Sequence, residues 1–403
     1  MKKHARKHEG KVASKSAVIF ASAIATVLTL FSNPLAQAAG SARSQVAPTA
    51  ALAPGVQRKD FVTWLSWQEG ESIQRLFSNI SSPDTARGSV MASPERVAPN
   101  YFFHWTRDAA LTMGEVLDLY DRTTGTDRAR IKKMMLEYVD FSRDNQLSNA
   151  LTGLGEPKFN PDGSPFMGGW CRPQNDGPAL RAMTLTRFAN RIIDDGEINY
   201  VRTKLYDNEI PAHTVIKADL EFVAHNWRTP NCELWEEVEG QHFYNRMVQR
   251  KSLVEGAKLA RKLGDVGAAA FYDQEAQALA VELAKHWDER VGAFIPTIER
   301  TGGLSYKTSG LDSSTILAVL HTTYDGTELI SFTDPKFIST LVALTESFRG
   351  LYPINAASTG LPGIAIGRYP EDMFGGTHFE FGNPWILLTA AFASSSYKIA
   401  GEL

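Results

Sequence analysis

Apolar residues return at steps of three and four along most of this chain, and strict apolar–polar alternation is scarce. Ala276, Leu279, Leu283 and Trp287 form one such stripe, and Phe337, Leu341, Leu344 and Phe348 another. This is the pattern of a helix with one face in a core. Ahead of the second stripe, Thr333-Asp334-Pro335 supplies a cap and a proline at the first helical position. The spacing predicts ten helices, over 58–79, 107–121, 127–145, 176–194, 211–226, 241–263, 266–287, 312–320, 335–348 and 384–399. The fold class is therefore all-α. No period of fixed length recurs, which excludes a short-repeat solenoid.

Five long stretches, 80–106, 147–175, 227–240, 289–311 and 349–383, separate these helices. Loops of that length without structure of their own are uncommon and tend to be functional. They hold most of the Trp, Gly and Pro, set beside Arg, Asp and Glu: "PNYFFHWTRD", "LGEPKFN", "GGWCRPQ", "ELWEEVEG", "IGRYPED" and "GNPW". Aromatic faces stack on the C–H faces of a pyranose and charged groups bind its hydroxyls, so the mixture suits a sugar site.

Composition narrows the picture. The 403 residues are 43% hydrophobic and 22% charged, a soluble globular balance. The first 38 residues carry six Lys/Arg and one acid; without them 36 basic and 44 acidic residues remain, a formal net charge of −8. No basic block remains to bind nucleic acid. The start itself reads as a signal peptide: a basic region, "MKKHARKHEGKVASKS", an apolar run of 15 residues, "AVIFASAIATVLTLF", and small residues at Ala36–Ala38. That run is short for a membrane span, which needs about 20 residues. Residues 39–56 read as a linker, and 57–403 as one catalytic domain. The expected location is secreted or periplasmic. Two cysteines, Cys171 and Cys232, make no disulfide framework; one bridge or two buried thiols both remain open. No metal-ligand spacing is apparent.

Each motif has a plain structural reading. "WTRD" reads as a helix start with Asp108 in the first turn, or as Arg107 and Asp108 gripping vicinal hydroxyls. "GGWCRPQNDGP" reads as a loop entering a helix capped by Asn175 or Asp176, with Trp170 an exposed platform. "GNPW" reads as a helix start with Pro384 at its first position and Trp385 in the core. In "ELWEEVEG", Glu236 and Glu237 sit side by side after an indole. Helix-start acids explain that; so does glycoside hydrolysis, which needs one carboxylic acid kept protonated by its surroundings.

Taken in order and spacing, "PNYFFHWTRD", "GLGEPKFN", "GGWCRPQNDGPALRA", "ELWEEVEG", "SGLDSSTIL", "SFRGLYPIN", "GRYPED" and "GNPW" resemble the glucoamylases of glycoside hydrolase family 15, from about residue 57 onward. The resemblance implies an (α/α)6 barrel, two concentric rings of six helices with the site at the loop end. It implies release of β-glucose from the non-reducing ends of α-1,4-glucans, with inversion, by a monomer without metal or cofactor. Glu236 matches the general acid and Glu237 a carboxylate that contacts the next sugar. Arg107, Asp108 and Arg368 match the clamp on the terminal glucose. Tyr101, Trp105, Trp170, Trp235 and Trp385 match aromatic or backbone contacts.

Departures from the pattern are visible. Glu233 stands where Asp is usual and Phe374 where Tyr is common. An inverting enzyme needs a second carboxylate as base, about 6.5–9.5 Å from the acid, and the family supplies it from a segment well after "GNPW". Leu403 comes before such a segment, and Glu402 does not take its place. Six hairpins need twelve helices, so the expectation is an incomplete barrel lacking its last pair, poorly active as it stands. The alternatives are a relative that cleaves α-1,6-glucans or trehalose, and a glucan-binding protein without turnover.

Overall fold

The computed structural model describes residues 60–357 and 363–403; the segments read as signal and linker lie outside them. Among the described residues, ten helices of nine residues or more follow one another. They are α1 (Phe61–Ser78), α2 (Thr106–Arg122), α3 (Gly125–Leu147), α4 (Asp176–Asp194), α5 (Val215–Asn226), α6 (Phe243–Leu263), α7 (Val266–Leu283), α8 (Ser314–Thr322), α9 (Pro335–Arg349) and α10 (Ile386–Glu402). The short strands are β1 (His104–Trp105), β2 (Lys158–Phe159), β3 (Asn231–Cys232), β4 (Val238–His242), β5 (Trp287–Asp288), β6 (Ala293–Phe294) and β7 (Thr297–Gly303).

Helices α2, α4, α6, α8 and α10 pack each against the next, while α3, α5, α7 and α9 lie outside α2, α4, α6 and α8. This is the two-ring arrangement of an (α/α)6 barrel, with five inner helices among the described residues. The rings differ in burial for a simple reason. An inner helix is covered by two inner neighbours and one outer partner, so α4 is buried nearly all round, from Asp176 to Ile192. An outer helix buries one stripe. In α7 that stripe is Ala269, Tyr272, Ala276, Leu279 and Leu283, and in α9 it is Phe337, Leu341, Leu344 and Phe348. Asp334 caps α9 by accepting from the Lys336 N–H, and Pro335 opens the helix, as its sequence predicts.

Several predicted boundaries move. Helix α5 starts at Val215 rather than 211, because Asp207 closes the preceding loop: its carboxylate accepts from the His213 N–H, and its own N–H donates to Thr214 Oγ1. Helix α6 starts at Phe243 because 238–242 form β4. Helix α7 ends at Leu283; Trp287 instead enters β5 and packs edge-on against Phe294. Helix α8 runs two residues later than predicted, and α10 starts after Trp385, so Pro384 precedes the helix. The stretches 227–240 and 289–311, which read as loops, contribute the three-stranded antiparallel sheet β3–β4–β7.

Gly303, at the end of β7, is required by close approach: its φ is +87° and a Cβ there would stand 2.1 Å from the Glu237 carbonyl oxygen. That contact presses the sheet onto the turn joining β3 to β4. A cavity of about 640 Å³ lies among the later turns of α2, α4, α6 and α10 and the end of α8, lined in part by Arg187, Glu255, His321 and Lys398. It shares no residue with the site described next.

Candidate active site

The N-terminal ends of the inner helices meet the long loops, and the predicted residues gather there. Strands β1 and β2 pair with Trp105 opposite Lys158. Chain direction then turns at Thr106 into α2, so Arg107 and Asp108 stand in its first turn. Helix α4 begins at Asp176, and its first turn faces that of α2: Arg107 donates to Asp176 at 2.9 Å and to Gln174 Oε1 at 3.0 Å. The plain reading of Asp108 in the first turn of a helix holds here, and the same residues also reach the site; Asn175 takes the N-cap position of α4, but its side chain makes no capping hydrogen bond.

Residues 233–238 turn between β3 and β4. Three backbone N–H groups, of Trp235, Glu237 and Val238, donate to the buried Glu233 carboxylate, the last two at 3.0 and 3.1 Å. The turn is thus wrapped around one side chain. The extra methylene relative to Asp lies inside the turn. Burial pushes the Glu233 carboxyl up to about 7, against the pull of Lys307.

Glu236 occupies this turn in the left-handed region, at φ +67°, a conformation costly for a residue with a Cβ and often found at functional sites. Its Oε1 accepts from Trp105 Nε1 at 2.8 Å and from Gln174 Nε2 at 2.9 Å, and Arg107 stands 3.9 Å away. The surroundings are therefore polar, although Glu236 follows a tryptophan. They are an array of donors brought from two segments, the β1–α2 junction at 105–107 and the loop before α4. Burial pulls the Arg107 guanidinium down, but Asp176, Asp108 and Glu236 outweigh it and hold it above the ordinary arginine range. Asp108 lies 3.7 Å from Arg107 and keeps 42% of its side chain exposed, facing solvent at the mouth.

Glu237 points the other way. Arg368 reaches its Oε1 at 2.8 Å and the Tyr369 hydroxyl donates to its Oε2 at 2.8 Å. Arg368 is itself buried and held by a two-pronged bond to Asp372, at 2.8 and 2.6 Å. Such a fork fixes the guanidinium plane. The Arg368 Cζ lies 5.6 Å from the Trp235 ring, 5.5 Å from Trp385 and 5.3 Å from Phe374. The Tyr-to-Phe departure thus leaves a ring against Arg368 and no hydroxyl.

The aromatics line two walls. Tyr101 and Trp170 stand 6.0 and 5.8 Å from Trp105, centroid to centroid. Trp235 meets Trp385 edge-on at 5.9 Å. Trp170 is half-buried rather than an exposed platform, because Lys158 Nζ sits 3.7 Å from its ring and Phe166 packs on it. Trp385 is half-buried too, at the cap of α10 rather than in the core. A disulfide joins Cys171 to Cys232, with 5.9 Å between the Cα atoms, so neither is a free thiol. The bridge ties the loop that carries Trp170 and Gln174 to the strand that leads into the acid turn.

All ten predicted residues therefore come together. Sequence reasoning missed others. Lys158 lies buried among four rings, 3.9 Å from Phe103, 4.6 Å from Trp105 and 4.1 Å from Phe166 besides Trp170, and burial lowers its ammonium to about 8, against Glu236. Gln174, Tyr369, Asp372, Lys307 and Asp312 were not singled out either, although each stands in or beside a quoted motif. Among the described residues no cluster of His, Cys, Asp and Glu is placed to hold a metal ion, and no helix is long and apolar enough to cross a membrane.

A barrel of paired helices whose loop end carries two adjacent glutamates, two buried arginines and tryptophan walls is the architecture of the family that the chain matches. Residues 71–402 match the model of glycosyl hydrolases family 15, and the chain belongs to that family. It is 37% identical over 359 residues to a glucoamylase of Blastobotrys adeninivorans, covering 85% of this chain and 56% of that protein. It is 38% identical over 343 residues to glucoamylase 1 of Rhizopus oryzae, covering 84% and 55%. Among solved structures, the glucoamylase from Saccharomycopsis fibuligera superposes with a TM-score of 0.76 at 31% identity, over 85% of this chain and 74% of that one. The chain thus spans a little over half the length of the first two relatives.

Proposed function

We propose that this site hydrolyses α-1,4-glucans from their non-reducing ends, releasing β-glucose with inversion. Glu236 is the general acid that protonates the glycosidic oxygen as it leaves. Arg107, Asp108 and Arg368 hold the hydroxyls of the terminal glucose, and Glu237 binds the next sugar. Tyr101, Trp105, Trp170, Trp235 and Trp385 supply the stacking walls. The observation that carries this reading is the convergence on Glu236 Oε1. A strained turn, an indole N–H, an amide and a guanidinium fix that oxygen while leaving the carboxyl beside the clamp. The family membership and the glucoamylase relatives support the substrate class.

A second reading is glucan binding without turnover. Among the described residues, the acids nearest Glu236 are engaged: Glu237 with Arg368, Asp108 and Asp176 with Arg107, and Glu233 with its own turn. None of them stands free to activate a water. One experiment separates the two readings: glucose release from maltoheptaose by the purified chain, with the product anomer followed by NMR and Glu236→Gln as control. Release of β-glucose at least 100-fold above the control supports hydrolysis, since general acid catalysis is worth about 10²–10⁴. Saturable binding with no release supports the second reading, and neither binding nor release refutes both. The same measurement on isomaltose and trehalose sorts linkage preference. On the same reading the chain is exported, residues 1–38 are removed, and 57–403 work as a monomeric catalytic unit. N-terminal sequencing and the mass of exported material test this.

A further inference from the structure

Beneath the acid turn lies a buried cation that makes no contact attributed to substrate. Lys307 follows β7, with 10% of its side chain exposed. Its ammonium pairs with the buried Asp312 at 2.8 Å and lies 4.0 Å from the centre of the Tyr369 ring. The other oxygen of Asp312 accepts from Trp235 Nε1 at 2.9 Å and from the Ser314 N–H at 2.8 Å. Tyr369 donates to Glu237. Two routes therefore run from one ammonium to the residues that flank Glu236: through Asp312 to Trp235, and through Tyr369 to Glu237.

We propose that Lys307 is a positioning residue of this site, fixing Trp235 and Glu237 through Asp312 and Tyr369 and balancing the acids gathered under the turn. The inference rests on the functional reading above for its substrate, not for its geometry. The charge around the ammonium agrees. Burial pulls Lys307 down, but Asp312, Glu233 and Glu237 more than offset this and hold it above the ordinary lysine range. The groups facing it from the surrounding elements are Glu233 and Glu237 on the turn, Asp312 ahead of α8, Tyr369 with Arg368 on its ring, and His242 at the end of β4. Burial, the largest cause, keeps His242 neutral down to about 4, with Lys307 among the charges that lower it. The ammonium is thus set among three acids that include the scaffold of the turn, one of which, Glu237, also pairs with Arg368.

The test compares Lys307→Met with Lys307→Arg in the full chain. Near-ultraviolet circular dichroism reads the tryptophan environment, and calorimetry reads maltoheptaose binding from pH 5 to pH 8. Loss of the charge leaves Glu233 and Asp312 without their cation and Glu237 with Arg368 alone, and the repulsion grows as Glu233, raised to about 7, ionises. Lys307→Met is therefore expected to alter the tryptophan bands and to weaken binding at least tenfold at pH 8 and less at pH 5. Arg is expected to restore binding to within threefold. Unchanged bands and binding in Lys307→Met overturn the proposal. So does a deficit that is equal at every pH and not rescued by Arg, which marks a packing defect. If Lys307→Met does not fold, Asp312→Asn, which keeps an acceptor for Trp235 and loses the ion pair, is expected to shift the bands and weaken binding at least tenfold; unchanged values overturn the proposal. If the unaltered chain does not bind maltoheptaose, the functional reading fails, and the bands of the Met and Arg variants still decide the role of Lys307.

Discussion

Glu233 gives a quantitative handle on how the acid turn is held. Its side chain is buried, at 4% exposure, and burial raises its carboxyl from the ordinary 4.5 to about 7. Between those values the folded chain keeps a proton that the unfolded chain has released. Stability therefore falls as pH rises through the interval; the loss is absent below about pH 4.5 and complete above about pH 7. One unit of difference is worth about 1.4 kcal/mol, so the whole interval is worth about 3 kcal/mol. Glu233→Gln abolishes the titration. It also replaces one acceptor oxygen of the turn by an amide, which costs about 1–3 kcal/mol at every pH. The informative quantity is consequently the difference between two differences. Urea unfolding, followed by tryptophan fluorescence, is measured at pH 4.5 and pH 7.5 for both chains. The unaltered chain is expected to lose about 3 kcal/mol more than Glu233→Gln across that interval. Equal losses in the two chains refute the reasoning, whatever the constant offset between them.

Three further outcomes are expected. Cys171→Ser with Cys232→Ser opens a loop of 61 residues. Chain entropy puts the destabilisation at about 4 kcal/mol, and maltoheptaose binding weakens because the Trp170 and Glu236 loops lose their link; denaturant unfolding and calorimetry check both. Gly303→Ala places a Cβ on the Glu237 carbonyl and is expected to lower stability by about 2 kcal/mol or more, read from the urea midpoint, with binding lost in parallel. Arg368→Lys keeps the charge but removes the fork that Asp372 holds, so maltoheptaose affinity is expected to fall about tenfold or more with little change in melting temperature.

The outer helices were the most legible part of the chain, because each buries one stripe and leaves the rest in water; α7 and α9 show their period openly. The inner helices show their period less openly, since α4 and α6 are covered on most sides and carry buried polar residues such as Arg181, Asn245 and Gln249. Sheet β3–β4–β7 was not legible. Its strands are two to seven residues long, and "VEGQH" and "TIERTGG" alternate too weakly to stand out. In the site, the residues proposed to face a substrate were readable because their types are unusual together: Trp beside Arg, Glu beside Glu. Those that hold them in place were not. Lys158, Lys307 and Asp312 lie in or beside quoted motifs, but the contacts that give them their roles, to Trp105, Tyr369 and Trp235, reach across the fold and leave no mark in the local sequence.

The left-handed backbone of Glu236 sets stability and chemistry in opposition at one position. A residue with a Cβ is less at ease there than glycine by about 1–2 kcal/mol, and Glu233 holds the turn whatever side chain projects from it. Backbone energetics therefore favours glycine or asparagine at 236, and on the proposed reading it is the part of the carboxyl as acid that keeps glutamate in place. On that reading, a lineage released from acid catalysis is expected to drift at this position first. The identity of its residue is then a marker, readable from sequence, of whether a relative still cleaves what its clamp holds.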